Sequence, residues 1–239
     1  MPFHCKLFSI EQSKSIQKIG ADSMLLGAWT EGNAKSILDV GTGTGILALM
    51  QAQKYPKASV IAIEPDLDSF EEASYNFEQS IFKDRLQIIH TSLQHFEAIQ
   101  PFDLIISNPP YFEDDFLSED TKRNSARHTI TLSIEELYSY DIKLLSETGL
   151  FYLVFPETVA KQHYDIAKAK GLNVKQVLLA KTEDGMTIRH FVCFSKQSTA
   201  CTTDEIIIKY KNGLYSKKYV ELTKDFYSKT LAFYQDEVI

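Results

Sequence analysis

The chain is poor in cysteine, with three in 239 residues, at positions 5, 193 and 201. So few thiols, so far apart, exclude a disulfide scaffold and a zinc-ligand set, and they point to a reducing compartment. Ten glycines and seven prolines form no rich stretch, which excludes collagen-like and low-complexity classes and leaves no candidate linker. No apolar run approaches the roughly 18–20 residues of a membrane helix. The opening Met1-Pro2-Phe3-His4-Cys5-Lys6 lacks the apolar stretch of a secretory signal, so the expected setting is the cytoplasm, with no membrane contact. Positive charge is also in deficit, with 25 Lys and Arg against 32 Asp and Glu, a net charge of −7. Nucleic-acid binders usually carry a basic footprint, which argues against a dedicated DNA-coating protein. An enzyme that grips one RNA through a local basic patch is not excluded.

What is there is an ordinary apolar fraction, 44%, in a length sufficient for one sizeable core. The expected organisation is one domain over 1–239, with 1–35 as an N-terminal extension packed on it. From residue 36, short apolar runs alternate with amphipathic stretches. Segments 36–40, 59–63, 86–90, 102–107 and 150–155 read as buried strands, and 45–55, 67–80, 133–145 and 157–170 as helices. Alternation of this kind predicts an α/β fold, a Rossmann-like, doubly wound, mostly parallel sheet. Segments 174–179, 188–195 and 205–210 follow without helical spacers and are expected to finish the sheet as antiparallel strands. The tail from 214 is expected to be helical in its second half, on the spacing of Leu222, Phe226, Tyr227 and Leu231.

Two short segments carry chemistry. After the first strand, Asp39-Val40-Gly41-Thr42-Gly43-Thr44-Gly45 runs directly into a helix. Glycines there permit a tight turn and close approach of a ligand to the backbone. The next strand ends in Ile63-Glu64-Pro65-Asp66, whose first carboxylate is placed to accept hydrogen bonds from the ribose hydroxyls of an adenosine cofactor. The spacing Gly-x-Gly-x-Gly departs from the dinucleotide fingerprint Gly-x-Gly-x-x-Gly, which disfavours a nicotinamide enzyme. The loop instead resembles motif I of class I S-adenosylmethionine (SAM) methyltransferases. That resemblance implies SAM contacts from Gly41, Gly43, Gly45 and Glu64, with Asp39 orienting the loop and the methionine end of the cofactor. No metal is required.

The second segment, Asn108-Pro109-Pro110-Tyr111, follows the apolar run 102–107. Two prolines stop the strand and stiffen the loop. An exocyclic amine on adenine, or a carboxamide, is a poor nucleophile because its lone pair is delocalised. Two acceptors on its N–H groups, the side-chain oxygen of Asn108 and the backbone carbonyl of Pro109, would align that lone pair with an electrophilic methyl, and the ring of Tyr111 would stack on the planar substrate.

The tetrad resembles both N6-adenine methyltransferases and the glutamine methyltransferases that act on release factors. Phe112, Arg123-Asn124-Ser125-Ala126-Arg127-His128, Phe8-Ser9-Ile10, the run Gly20-Ala21-Asp22-Ser23-Met24-Leu25-Leu26-Gly27-Ala28-Trp29, and the tail pairs Tyr215-Ser216, Leu222-Thr223 and Phe226-Tyr227 favour the former. Together they resemble the bacterial tRNA1(Val) (adenine-37-N6)-methyltransferase family. The resemblance implies a seven-stranded SAM-methyltransferase sheet, N6-methyladenosine formation beside a tRNA anticodon, Asp22 near the methionine moiety, and Asn108 bordering both adenine and cofactor. One departure concerns an aspartate that many relatives place after the third strand. Here the stretch reads His90-Thr91-Ser92-Leu93, with Leu93 in the acid's place, and the contact to the cofactor adenine falls to Ser92 or to backbone groups.

Candidate RNA contacts are Arg123 and Arg127, beside the acidic run Glu113, Asp114, Asp115, Glu119 and Asp120, and Lys209, Lys211, Lys217 and Lys218, interleaved with Tyr210, Tyr215 and Tyr219. The lysines read equally as a solvated face. A glutamine methyltransferase is expected to bring a separate helical N-terminal domain, for which 1–35 is too short. A DNA enzyme is expected to bring a target-recognition domain and a basic surface. A non-catalytic SAM-binding scaffold would have no need of an intact tetrad. The expected partner is therefore tRNA, with neither DNA nor an obligate protein partner.

Overall fold

Five of the apolar runs lie side by side in one direction, so their carboxyl ends meet along a single edge of the sheet. The computed structural model describes residues 2–15, 18–109 and 132–233. The five are β3 (Ser36–Val40), β4 (Ser59–Glu64), β5 (Leu86–His90), β6 (Phe102–Ser107) and β7 (Leu145–Pro156). A hairpin of β1 (Phe3–His4) and β2 (Ser9–Ile10) and helix α1 (Ala21–Trp29) precede them. Helices α2 (Ile46–Lys54) and α3 (Leu67–Glu78) connect β3, β4 and β5, and α4 (Ile134–Leu144) leads into β7. There follow α5 (Ala160–Ala169), β8 (Asn173–Lys181), β9 (Thr187–Ser195), β10 (Thr202–Ile207) and α6 (Lys217–Thr223).

The sheet has eight strands in the order β10-β8-β9-β7-β6-β3-β4-β5, one more than the seven expected. Strand order reverses between β3 and β6, the switch point where ligands of open α/β sheets bind. Of the three late strands, β9 alone runs antiparallel to β7, and β8 in turn runs antiparallel to β9. Strands β8 and β10 therefore point the same way as the central five, and they pair in parallel. The expectation of a wholly antiparallel finish is corrected here. Chain 196–201 passes β8 and lays β10 on its outer edge, a crossing that apolar periodicity does not encode.

Side chains along the central strands alternate between two cores, as the pleat requires. Ile37, Leu104, Ile106, Tyr152 and Val154 face the layer that contains α1 and α2. Leu38, Val40, Ile105, Phe151, Leu153 and Phe155 face α4 and α5. Helix α1 packs on α2, where Gly27 meets the side chains of Met50 and Leu47. Its far end is tied down as Thr30 Oγ1 donates to Gln51 Oε1 at 2.9 Å and Gln51 Nε2 donates to the Gly27 carbonyl at 3.1 Å.

The tail departs from expectation. Among the described residues its helix is Lys217–Thr223, in the first half, started by Ser216 Oγ accepting from Tyr219 N. Beyond it, Tyr227 bridges to Cys5 of the N-terminal segment and Phe233 to Tyr215. These apolar residues serve extended pairing, not a helix face. His163 is buried, stacked on Phe155 with ring centroids 4.1 Å apart, and burial holds its pKa down to about 4.

Asp141 of α4 is fully buried, and neither carboxylate oxygen has a hydrogen-bond partner among the described residues. Desolvation raises its pKa well above the ordinary carboxylate range. The folded state therefore binds the extra proton. Stability is full below an unfolded pKa of about 3.9 and declines as pH rises above it toward the folded value. Asp141→Asn removes that decline, so the variant is expected to be more stable than the parent at pH 7.5 and nearly unchanged at pH 4. Melting temperatures at both pH values check this, and an equal shift at the two would contradict it.

Candidate active site

The glycine loop is shaped by backbone demands that side chains cannot meet. Gly41, Gly43 and Gly45 have φ of 69°, 55° and 86°, all in the left-handed region. Beside Gly45 an added Cβ would lie 2.6 Å from Phe77 Cε1, so this glycine lets α2 and α3 pack together. Beside Gly41 and Gly43 there is nothing within 4 Å, and the loop presents open space there. Asp39 holds the turn from below: Oδ2 accepts from Thr42 Oγ1 at 2.5 Å and from Ala48 N at 3.0 Å. Its Oδ1 is buried and has no partner among the described residues. Desolvation, only partly offset by those two bonds, pushes the Asp39 pKa up to about 7.

Glu64 closes the crevice from the end of β4. Its Oε2 accepts from Gly43 N at 2.8 Å and its Oε1 from Asp66 N at 3.0 Å. Each carboxylate oxygen has a second lone pair, so the group retains acceptor capacity for hydroxyl donors. Burial raises its pKa, against the two backbone bonds. Asn76 of α3 ties this loop to the N-terminal segment, donating to the carbonyls of Thr44 and Glu11, each at 2.9 Å.

Across the switch point, Val40 and Ser107 are register partners, and Ser107 Oγ donates to the Val40 carbonyl at 2.9 Å. Asn108 and Pro109 thus begin beside the glycine loop. Asn108 Nδ2 donates to Ser23 Oγ in the first turn of α1 at 2.8 Å. The neighbouring Asp22 accepts from Arg189 Nε, at the start of β9, at 3.2 Å. Sequence reading assigned no role to either Ser23 or Arg189. No local signal marks either one, since their partners lie 85 and 167 positions away.

Leu93 is buried in the core cluster that contains Leu38, Val40 and Ile63. Ser92 precedes it, starts the short turn Leu93–His95, and its Oγ lies 2.9 Å from His95 Nδ1. Tyr111, Arg123 and Arg127 lie outside the described residues. Two of the four lysines lie away from the crevice. Lys209 and Lys211 follow β10, four strands from β6 and so about 19 Å away at ordinary strand spacing. Lys209 lies over the Tyr215 ring, Lys211 pairs with Asp184 at 2.9 Å, and Lys218 pairs with Asp204 at 2.5 Å. Lys217 opens α6. Among the described residues no helix is long and apolar enough to cross a membrane.

A mostly parallel sheet with a glycine cradle and a ribose-ready carboxylate at its switch point is the fold and crevice of the Rossmann-like, SAM-dependent methyltransferases. Residues 15–164 match the methyltransferase small domain model. A relative from Flavobacterium psychrophilum is 36% identical over 95% of this chain and 99% of its own length. One from Bacteroides fragilis is 37% identical over 95% and 98%, and both are named tRNA1(Val) (adenine(37)-N6)-methyltransferase. The chain belongs to the methyltransferase small domain family, in the group formed with these relatives, and is an enzyme. The fold is shared more widely. A predicted O-methyltransferase from Agrobacterium tumefaciens superposes with a TM-score of 0.63 at 16% identity, covering 90% of this chain and 99% of that one. The glycopeptide N-methyltransferase MtfA, solved with SAM, gives 0.54 at 12% identity, covering 76% and 96%.

Proposed function

We propose that the chain transfers a methyl group from SAM to the exocyclic N6 amine of an adenine in tRNA, and that this adenine is position 37 of tRNA1(Val), as in the names of its relatives. The observation that carries the reading is Asn108, held at the carboxyl end of β6 beside a glycine cradle, in a chain similar to those relatives over 95% of its length.

The residues present fit the cofactor. Open space at Gly41 and Gly43 admits it against the backbone, Glu64 has lone pairs for two ribose hydroxyls, and Asp39 Oδ1 is a buried acceptor without a partner among the described residues. Asp22 adds a second carboxylate on the α1 side, for the methionine end. Ser92, with the backbone beside it, is the adenine contact at the rim. Bound SAM supplies an electrophilic methyl on a sulfonium. The chain's part is alignment: Asn108 Oδ1 and the Pro109 carbonyl accept the two N–H groups of the amine, turning its lone pair toward the methyl. Both acceptors also stabilise the positive charge that develops on nitrogen, at preorganised positions that need no rearrangement. SAM would supply the methyl for displacement by the amine, which Asn108 and Pro109 would hold in line and which would release one proton to water. Tyr111 supplies the stacking face. Phosphate contacts are assigned to Arg123, Arg127, Lys209, Lys211, Lys217 and Lys218. The enzyme works in the cytoplasm as a single domain spanning 1–239.

The test is transfer of labelled methyl from SAM to bulk tRNA from cells lacking this gene, with nucleosides identified by mass spectrometry. N6-methyladenosine is the expected product. Label absent from RNA, with SAM binding intact, would redirect the reading to a carboxamide in a protein.

A further inference from the structure

An asparagine that must accept a hydrogen bond from substrate has a problem of its own, because the carboxamide can rotate and its two ends have opposite roles. With the oxygen toward the amine the contact is attractive; with the nitrogen toward it, two N–H groups face each other. Rotation about the last side-chain bond is broad and soft when nothing restrains it. Here something does. Nδ2 of Asn108 donates to Ser23 Oγ at 2.8 Å, which places Oδ1 on the other side of the amide carbon.

We propose that Ser23 is a positioning residue for methyl transfer, holding the Asn108 carboxamide in the plane in which its oxygen can receive the substrate amine. The proposal rests on the role given to Asn108 above. Its physical basis is the rigidity of the element that carries Ser23. Met24, Leu25 and Leu26, which follow it, are completely buried, and Gly27 packs against the side chains of Met50 and Leu47. Asp22, which precedes it, is anchored to β9 through Arg189. Ser107, immediately before Asn108, is bonded in turn to the end of β3. Main chain and side chain of the catalytic asparagine are therefore fixed by different parts of the fold. A hydroxyl can accept or donate. Ser23 thus fixes the amide plane, and the substrate's own N–H groups select the flip in which the serine accepts.

The test compares Ser23→Ala and Ser23→Thr in the full chain, with Asn108→Ala as reference, using SAM and bulk tRNA from cells lacking the gene. Ser23→Ala is expected to lower kcat about 10–100-fold, the scale of a misoriented reacting group, with KM for SAM changed less than about twofold. Ser23→Thr keeps the hydroxyl and should return kcat to within about threefold of the parent. A second arm needs no substrate. The side-chain amide protons of Asn108, followed by NMR on 15N-labelled protein, should exchange with solvent at least about tenfold faster in Ser23→Ala. Parental kcat in Ser23→Ala, or unchanged amide exchange, would overturn the proposal. If Asn108→Ala is inactive while Ser23→Ala is normal, only the positioning role falls. If Asn108→Ala turns over normally, the role of Asn108 falls and that of Ser23 with it.

Discussion

Methyl transfer by Asn108→Ala is expected to fall roughly 10²–10³-fold in kcat, the usual consequence of removing one preorganised hydrogen-bond partner of a developing charge. SAM affinity should stay close to that of the parent, because the cradle at Gly41 and Gly43 and the carboxylate of Glu64 belong to β3 and β4 and not to β6. The split between a lost kcat and a retained cofactor constant is the informative part. A general collapse of the site would lower both. Alanine removes the partner of Ser23 as well, yet the main chain at this point stays anchored by Ser107 on Val40, so the loop start is expected to hold its place. Single-turnover transfer and calorimetric titration of SAM, on the same preparations, check the two halves. Undiminished turnover would dispose of the assigned role.

The second large effect is on the cofactor. Glu64→Ala is expected to weaken SAM by about 100-fold, as two charge-assisted hydrogen bonds to the ribose disappear. That loss has two sources which must be separated. Glu64 also accepts from Gly43 N and Asp66 N, so the substitution loosens the glycine loop itself. A cofactor analogue lacking the ribose 2′- and 3′-hydroxyls distinguishes them through a double-mutant cycle. If the ribose contact is real, the parent loses affinity for the analogue while Glu64→Ala, already deprived of that contact, loses little more. Equal losses in both proteins would leave Glu64 as a loop-holding residue only.

The two loops at the centre of these predictions were legible because their requirements are local. Left-handed backbone at positions 41, 43 and 45 demands glycine wherever the chain is folded, and a strand that runs into two prolines must end there. The core strands were equally plain, since 36–40 and 102–107 appear with the expected bounds. Errors came where one residue type serves two structures. Phe226 and Tyr227 have helical spacing from Leu222, but the chain leaves the helix at Thr223 and Tyr227 pairs with Cys5 instead. The lysines of the tail were visible as a cluster, but not the acids Asp184 and Asp204 that pair with two of them from other strands.

The amino-acid sequence by itself determined the kind of elements, the glycine cradle, the carboxylate at Glu64 and the Asn-Pro-Pro-Tyr segment, for each depends on residues adjacent in the chain. Tertiary structure alone decided that β9 enters beside β7 with β8 and β10 outside it, and that Ser23 meets Asn108 and Asp22 meets Arg189. Strand pairing joins backbone groups that are alike at every residue, so an apolar pattern states which side chains turn inward but not which strand lies alongside. Contacts across 85 and 167 positions exist only after that choice is made.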